Sequence, residues 1–222
     1  NQREKNKMNV GLIGCGRVAQ IHLDAYRSLS DVKVIAVSDL NLDKAKVFAK
    51  TNKIEKVFSD YVGLLEIKDL DCVDICTPTS THASIVCDAA RFGHNILVEK
   101  PMARNTIECK KMIGESEKSR VNLCVCHNQL FFPSVMQLKS LLDTGYLDLL
   151  SFRTSHREDF EFLKTHGFAH DWNISPEQGG ILWEVGCHLA YLQLYFLQDI
   201  REVYAVGIKA KYPVHDEFMV IL

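Results

Sequence analysis

The stretch Met8-Asn9-Val10-Gly11-Leu12-Ile13-Gly14-Cys15-Gly16-Arg17-Val18-Ala19 decides the fold of this chain. An apolar strand pattern runs straight into Gly-x-Gly-x-x-Ala, and a helical pattern continues from there to Leu29. The spacing has a mechanism. Gly14 permits a tight turn, Gly16 lets the backbone approach a pyrophosphate, and the small Ala19 allows the helix to pack closely on the sheet. Amides at the helix N-terminus, around Arg17 and Val18, then point at phosphate oxygens. Asp39 closes the next strand run twenty residues beyond Ala19. A carboxylate there accepts hydrogen bonds from ribose hydroxyls and repels a 2′-phosphate, so NAD is expected in preference to NADP. An S-adenosylmethionine enzyme shares the glycine turn and the acidic strand end, so the chemistry has to be read downstream.

The same rhythm continues outward. Strand runs VKVIAVSD (32–39), VFSD (57–60), VDICTP (73–78), NILVEKP (95–101) and VNLCVCHN (121–128) alternate with helical patterns near 41–51, 61, 81–92 and 105–118. Runs that are apolar on both faces and separated by amphipathic helices predict a parallel sheet covered on both sides. Right-handed crossovers then give a doubly wound Rossmann domain over 8–127, preceded by a polar leader, 1–7. From 128 to 222 the pattern changes. A helix over 133–143, a strand over 147–157, a long helix over 179–198, and strands over 202–210 and 217–222 predict a second, α+β domain. Its sheet is expected to be mixed and largely antiparallel. The run Val220-Ile221-Leu222 ends inside a strand pattern, as in a domain cut short.

Composition narrows the function classes. Hydrophobic residues make up 47% of the 222 and charged residues 24%, enough apolar surface to offset the entropy of ordering. The 26 basic and 28 acidic side chains leave a net charge of −2, so a nucleic-acid partner is not expected. No apolar run reaches the ~20 residues of a membrane span. Most of the eight cysteines lie in apolar runs, the pattern of small buried hydrophobes in a reduced, cytoplasmic protein. Cys124-x-Cys126 lacks a second ligand pair, so no metal site is expected.

Glu99-Lys100-Pro101 follows the fifth strand, at the carboxyl edge where open α/β sheets place ligands. Together with Gly14 to Ala19, Thr77-Pro78 and Gly179-Gly180-Ile181-Leu182-Trp183-Glu184-Val185-Gly186-Cys187-His188, it resembles the Gfo/Idh/MocA family of sugar and cyclitol oxidoreductases. The resemblance implies an NAD-dependent enzyme acting on a secondary hydroxyl of a sugar, nucleotide sugar or cyclitol. It makes Lys100 the lysine that hydrogen-bonds the substrate hydroxyl and His188 the general acid/base. Glu184, where many members carry aspartate, is the third implied catalytic residue, expected on the helix face of His188, where a carboxylate raises the histidine's proton affinity and fixes its orientation. Thr77, His82, Glu99 and Asn128 join Gly14, Gly16, Arg17, Val18 and Asp39 as implied cofactor contacts. The arginines often found after the asparagine are Gln129 and Leu130 here, so an acidic or phosphorylated substrate is less expected. Arg153, His156, Asp171 and Trp172, in the irregular stretch before the glycine-led helix, are candidate substrate contacts. An unpaired apolar sheet face implies a homodimer or homotetramer. A noncatalytic NAD-binding sensor on the same scaffold is the alternative; it has no need of both Lys100 and His188.

Overall fold

A computed structural model describes residues 7–155, 159–166, 175, 180–214 and 217–221. The chain divides into two compact units, one through Cys126 and one from His127. In the first, β1 (Met8–Ile13), β2 (Val32–Ser38), β3 (Lys56–Phe58), β4 (Cys72–Ile75), β5 (Asn95–Val98) and β6 (Leu123–Val125) form one sheet in the order β3-β2-β1-β4-β5-β6. Every pairing is parallel. That order is the doubly wound arrangement, with its switch point between β1 and β4.

The connecting helices are α1 (Arg17–Arg27), α2 (Leu42–Asn52), α3 (Tyr61–Leu65), α4 (Thr79–Arg91) and α5 (Thr106–Ser119). Asn41, Asp60 and Asn105 cap α2, α3 and α5 by accepting first-turn amides, the role for which short polar side chains are suited. Period-2 alternation splits the core in two. Leu12 and Val37 pack with Ala19, Leu23, Ala45, Phe48 and Ala49 on the α1–α2 side. Ile13, Ala36, Val73, Ile75, Ile96 and Val98 pack with Leu64, Leu65, Val86, Ala89 and Met112 on the other.

The strand ends are in register, and this positions the site. Ile13 pairs with Ser38 and Ile75, Ile75 with Val98, and Val98 with Val125. The next residue on each strand therefore lies along one edge: Asp39, Gly14, Cys76, Glu99 and Cys126.

In the second unit a short 3₁₀ helix (Asn128–Phe131) leads into α6 (Pro133–Asp143), followed by α7 (Phe160–Thr165), α8 (Gly180–Glu184), α9 (Gly186–Leu197), β7 (Tyr204–Ile208) and β8 (Glu217–Ile221). β7 and β8 pair antiparallel in a two-stranded sheet, with no parallel pairing among the described residues. Two expectations need correction. Among the described residues of 147–157 there is no strand. Leu150 is 95% exposed, and Phe152 packs its ring against Phe196 at 4.7 Å instead of adding to a sheet. The helix expected over 179–198 is two helices, broken at Val185. Gly180 opens α8 at φ +70°, and a Cβ there would lie 2.7 Å from the Val214 side chain, so only glycine fits.

Candidate active site

The glycine turn is locked to the ends of its neighbours. Gly14 has φ +91°, and an added Cβ would meet the Cys76 carbonyl oxygen at 2.6 Å, so the turn and the β4 end pack backbone to backbone. Its N–H donates to the Ser38 carbonyl at 2.7 Å. Gly16 is the N-cap of α1 and faces open space, no side chain caps the helix, and its first turn carries no acidic residue. An uncapped helix start that opens on Arg17 with no carboxylate in its first turn, beside a glycine with room around it, fits a phosphate.

Asp39 stands beside that helix start. Its Oδ2 accepts the Cys15 N–H at 2.9 Å and lies 3.1 Å from Lys44 Nζ, while Oδ1 accepts the Asn41 N–H at 2.9 Å. Burial pushes its proton affinity up, but the two backbone amides and Lys44 outweigh that and hold the carboxyl below the usual carboxylate range. The residues fit a dinucleotide: phosphate at the α1 start, ribose at Asp39. The cation Lys44 was not singled out in the sequence. It is three residues past the α2 cap, a position whose direction only the folded helix sets.

Further along the edge, Thr77 is half-buried and its hydroxyl accepts from Thr81 at 2.8 Å. His82 is only 1% exposed. Its Nε2 lies 2.8 Å from the Thr77 carbonyl and its Nδ1 3.0 Å from that of Pro101. The ring braces the two loops that follow β4 and β5, rather than offering a face of its own. Lys100 is half-buried next to Glu99, whose Oε2 accepts the Lys100 N–H at 3.1 Å. Glu99 Oε1 lies 3.1 Å from Nε2 of His22, a residue the sequence reading passed over. Burial raises the Glu99 carboxyl, but the His22 and Cys126 hydrogen bonds and the nearby charges of His22 and Lys100 bring it below its ordinary value.

In the second unit His188 sits in the first turn of α9 with Nδ1 2.6 Å from Tyr191 Oη. Tyr191 is buried, stacks on His127 at 4.2 Å, and accepts the Gln129 N–H at 3.3 Å. The break at Val185 puts Glu184 at the end of α8 and His188 in the first turn of the next helix. Tyr191, three residues beyond the histidine, is the partner that the structure adds. Asn128 is exposed at the head of the 3₁₀ helix, and Arg153 is exposed. His156, Asp171 and Trp172 lie outside the described residues.

No disulfide joins any of the eight cysteines, and among the described residues no helix is long and apolar enough to cross a membrane.

A family model described as an oxidoreductase family with an NAD-binding Rossmann fold matches residues 8–127, and a GFO/IDH/MocA C-terminal domain model matches 135–222. The chain is 30% identical over 206 residues to a myo-inositol 2-dehydrogenase of Thermotoga maritima, covering 90% of this chain and 58% of that protein. It is 29% identical over 217 residues to a trans-1,2-dihydrobenzene-1,2-diol dehydrogenase of Bos taurus, covering 96% and 63%. A levoglucosan dehydrogenase solved with NADH and levoglucosan superposes with a TM-score of 0.87 at 26% identity, over 96% of this chain and 63% of that one. The chain thus spans between half and two thirds of the length of these relatives.

Proposed function

This chain belongs to the GFO/IDH/MocA oxidoreductase family, and on that premise we propose that it is an NAD-dependent dehydrogenase for a secondary hydroxyl of a sugar, nucleotide sugar or cyclitol. The observation that carries the reading is the single edge on which Gly14, Asp39, Thr77 and Lys100 follow in-register strands at the switch point. Bound NAD supplies the hydride acceptor; the protein supplies position and electrostatics. The α1 start and Gly16 hold the pyrophosphate, and Asp39 takes the ribose hydroxyls.

In the proposed reaction Lys100 stabilises the charge that develops on the substrate oxygen. His188 accepts the hydroxyl proton at Nε2. That role needs Nε2 bare, which assigns the ring's proton to Nδ1 as a donor to Tyr191 Oη and makes the tyrosine the group that fixes the tautomer. Glu184 remains a proposed catalytic partner of His188, and Asn128, Arg153, His156, Asp171 and Trp172 remain proposed contacts. Reduced-nicotinamide absorbance with NAD and a panel of polyols tests the reading. Tight NAD binding with no turnover on any of them favours the sensor instead.

Asp39→Ala is expected to weaken NAD binding by about 10- to 100-fold, the worth of hydrogen bonds to a charged group. NADP affinity should hold or rise, because Lys44 loses its carboxylate partner and becomes available to a 2′-phosphate. Fluorescence titration of both cofactors checks the crossover; an unchanged preference removes Asp39 from the site.

Self-association belongs to the same reading. Tyr204, Val206, Ile208, Met219 and Ile221 share one face of the β7–β8 sheet, each of them more than 40% exposed. Sedimentation velocity at micromolar concentration is expected to show a dimer or tetramer, and Val206→Glu to shift it towards monomer.

A further inference from the structure

Asp74 lies within β4, a central strand, with no exposed surface. A carboxylate at such depth is tolerable only with donors or a cation against it. They come from two elements. From α1, His22 Nδ1 lies 2.8 Å from Asp74 Oδ2, and Tyr26 Oη donates to the same oxygen at 2.8 Å. From the β4 end, Cys76 Sγ stands 3.5 Å from both Asp74 Oδ1 and His22 Nδ1. The second ring nitrogen, Nε2, meets Glu99 Oε1 at 3.1 Å and Cys126 Sγ at 3.8 Å.

These five groups are the titratable side chains that face His22 among the described residues. An ionised carboxylate only accepts, so a ring with one at each nitrogen carries both protons. Burial opposes the charge, but the hydrogen bonds to Asp74, Cys126, Cys76 and Glu99 outweigh it and raise the proton affinity of His22 far above that of a free imidazole. The cluster has an outlet: the other oxygen of Glu99 accepts the Lys100 backbone N–H at 3.1 Å.

We propose that His22 is a positioning residue for the reaction. Clamped between Asp74 and Glu99, it fixes the Glu99 carboxylate, which holds the Lys100 backbone at the sheet edge. A lysine has a long, freely rotating stem, so its presentation to a substrate depends on how firmly its base is held. The inference rests on the reading of Lys100 as the lysine at the reacting oxygen.

His22→Gln is expected to lower kcat by about 10- to 100-fold, the cost of a reacting group misplaced by an ångström. KM for both substrates and NAD affinity should stay near the parental values, because Gly16 and Asp39 are untouched. Glu99→Gln keeps an acceptor for the Lys100 amide and loses the ion pair; it repeats the test if His22→Gln does not fold, with the same expected fall in kcat.

A pH readout separates a charged clamp from a space-filling ring. The folded ring keeps its proton, whereas the unfolded one loses it above the ordinary imidazole range. The stability from His22 is therefore complete below that range and declines as pH rises towards the folded value. Its share of the unfolding constant therefore grows as pH rises above the ordinary imidazole range, and His22→Gln removes that dependence. Nitrogen NMR of the parent protein at alkaline pH should find both ring nitrogens protonated.

A neutral His22 ring there, or zinc taken up at Nε2, overturns the inference. So does parental kcat in His22→Gln beside an inactive Lys100→Met. An active Lys100→Met overturns the reading of Lys100 and this inference with it.

Discussion

Lys100→Met is expected to reduce turnover by about 10³-fold or more, the upper range for a donor that stabilises a developing oxyanion. Methionine keeps the length and apolar stem of the side chain and removes the charge and its hydrogen-bond donors. Packing of the loop should survive, because the backbone amide still donates to Glu99 and the Pro101 carbonyl still meets His82. NAD affinity should change little. The proposed pyrophosphate and ribose sites, at Gly16 and Asp39, lie at the ends of β1 and β2, two and three strands away from β5 in the sheet. The measurement is kcat and KM on a verified substrate beside an NAD titration. Matching losses in turnover and in NAD affinity would place Lys100 in the cofactor site instead.

His188→Ala should slow the reaction by about 10²- to 10⁴-fold, the usual worth of a positioned general acid/base. The effect belongs to kcat, since the proton moves only in the reacting complex. Tyr191→Phe gives the finer test. It keeps the aromatic stack on His127 and removes the oxygen 2.6 Å from Nδ1. Its loss should be smaller, about tenfold, because the ring can still act but is no longer fixed in one tautomer. Parental turnover in His188→Ala would hand the proton to another group. An effect in Tyr191→Phe as large as in His188→Ala would point to collapse of the local packing rather than to the tautomer.

The fold was legible because its determinants are local. Each strand of the first unit is an apolar run bounded by turn residues, and the Gly14–Ala19 spacing carries its own steric reason. The edge positions Asp39 and Lys100 could be read for the same reason, since they directly follow strands whose ends a parallel register aligns. The second unit was less legible. The start of α8 and the unstranded 148–155 go with packing, Val214 against Gly180 and Phe152 against Phe196, which periodicity cannot see.

The sequence alone determined the parallel sheet, the glycine turn that opens α1 and the acidic residue beside it. Tertiary structure alone decided which side chains become partners. His22, Asp74, Glu99 and Cys126 come from α1, β4 and the ends of β5 and β6, and as many as 104 residues separate the members of a single contact. Nothing in a period of 3.6 or 2 couples positions so far apart. A buried carboxylate needs donors wherever the chain can bring them, and only the closed fold reveals that α1 brings an imidazole across Asp74 to the base of Lys100.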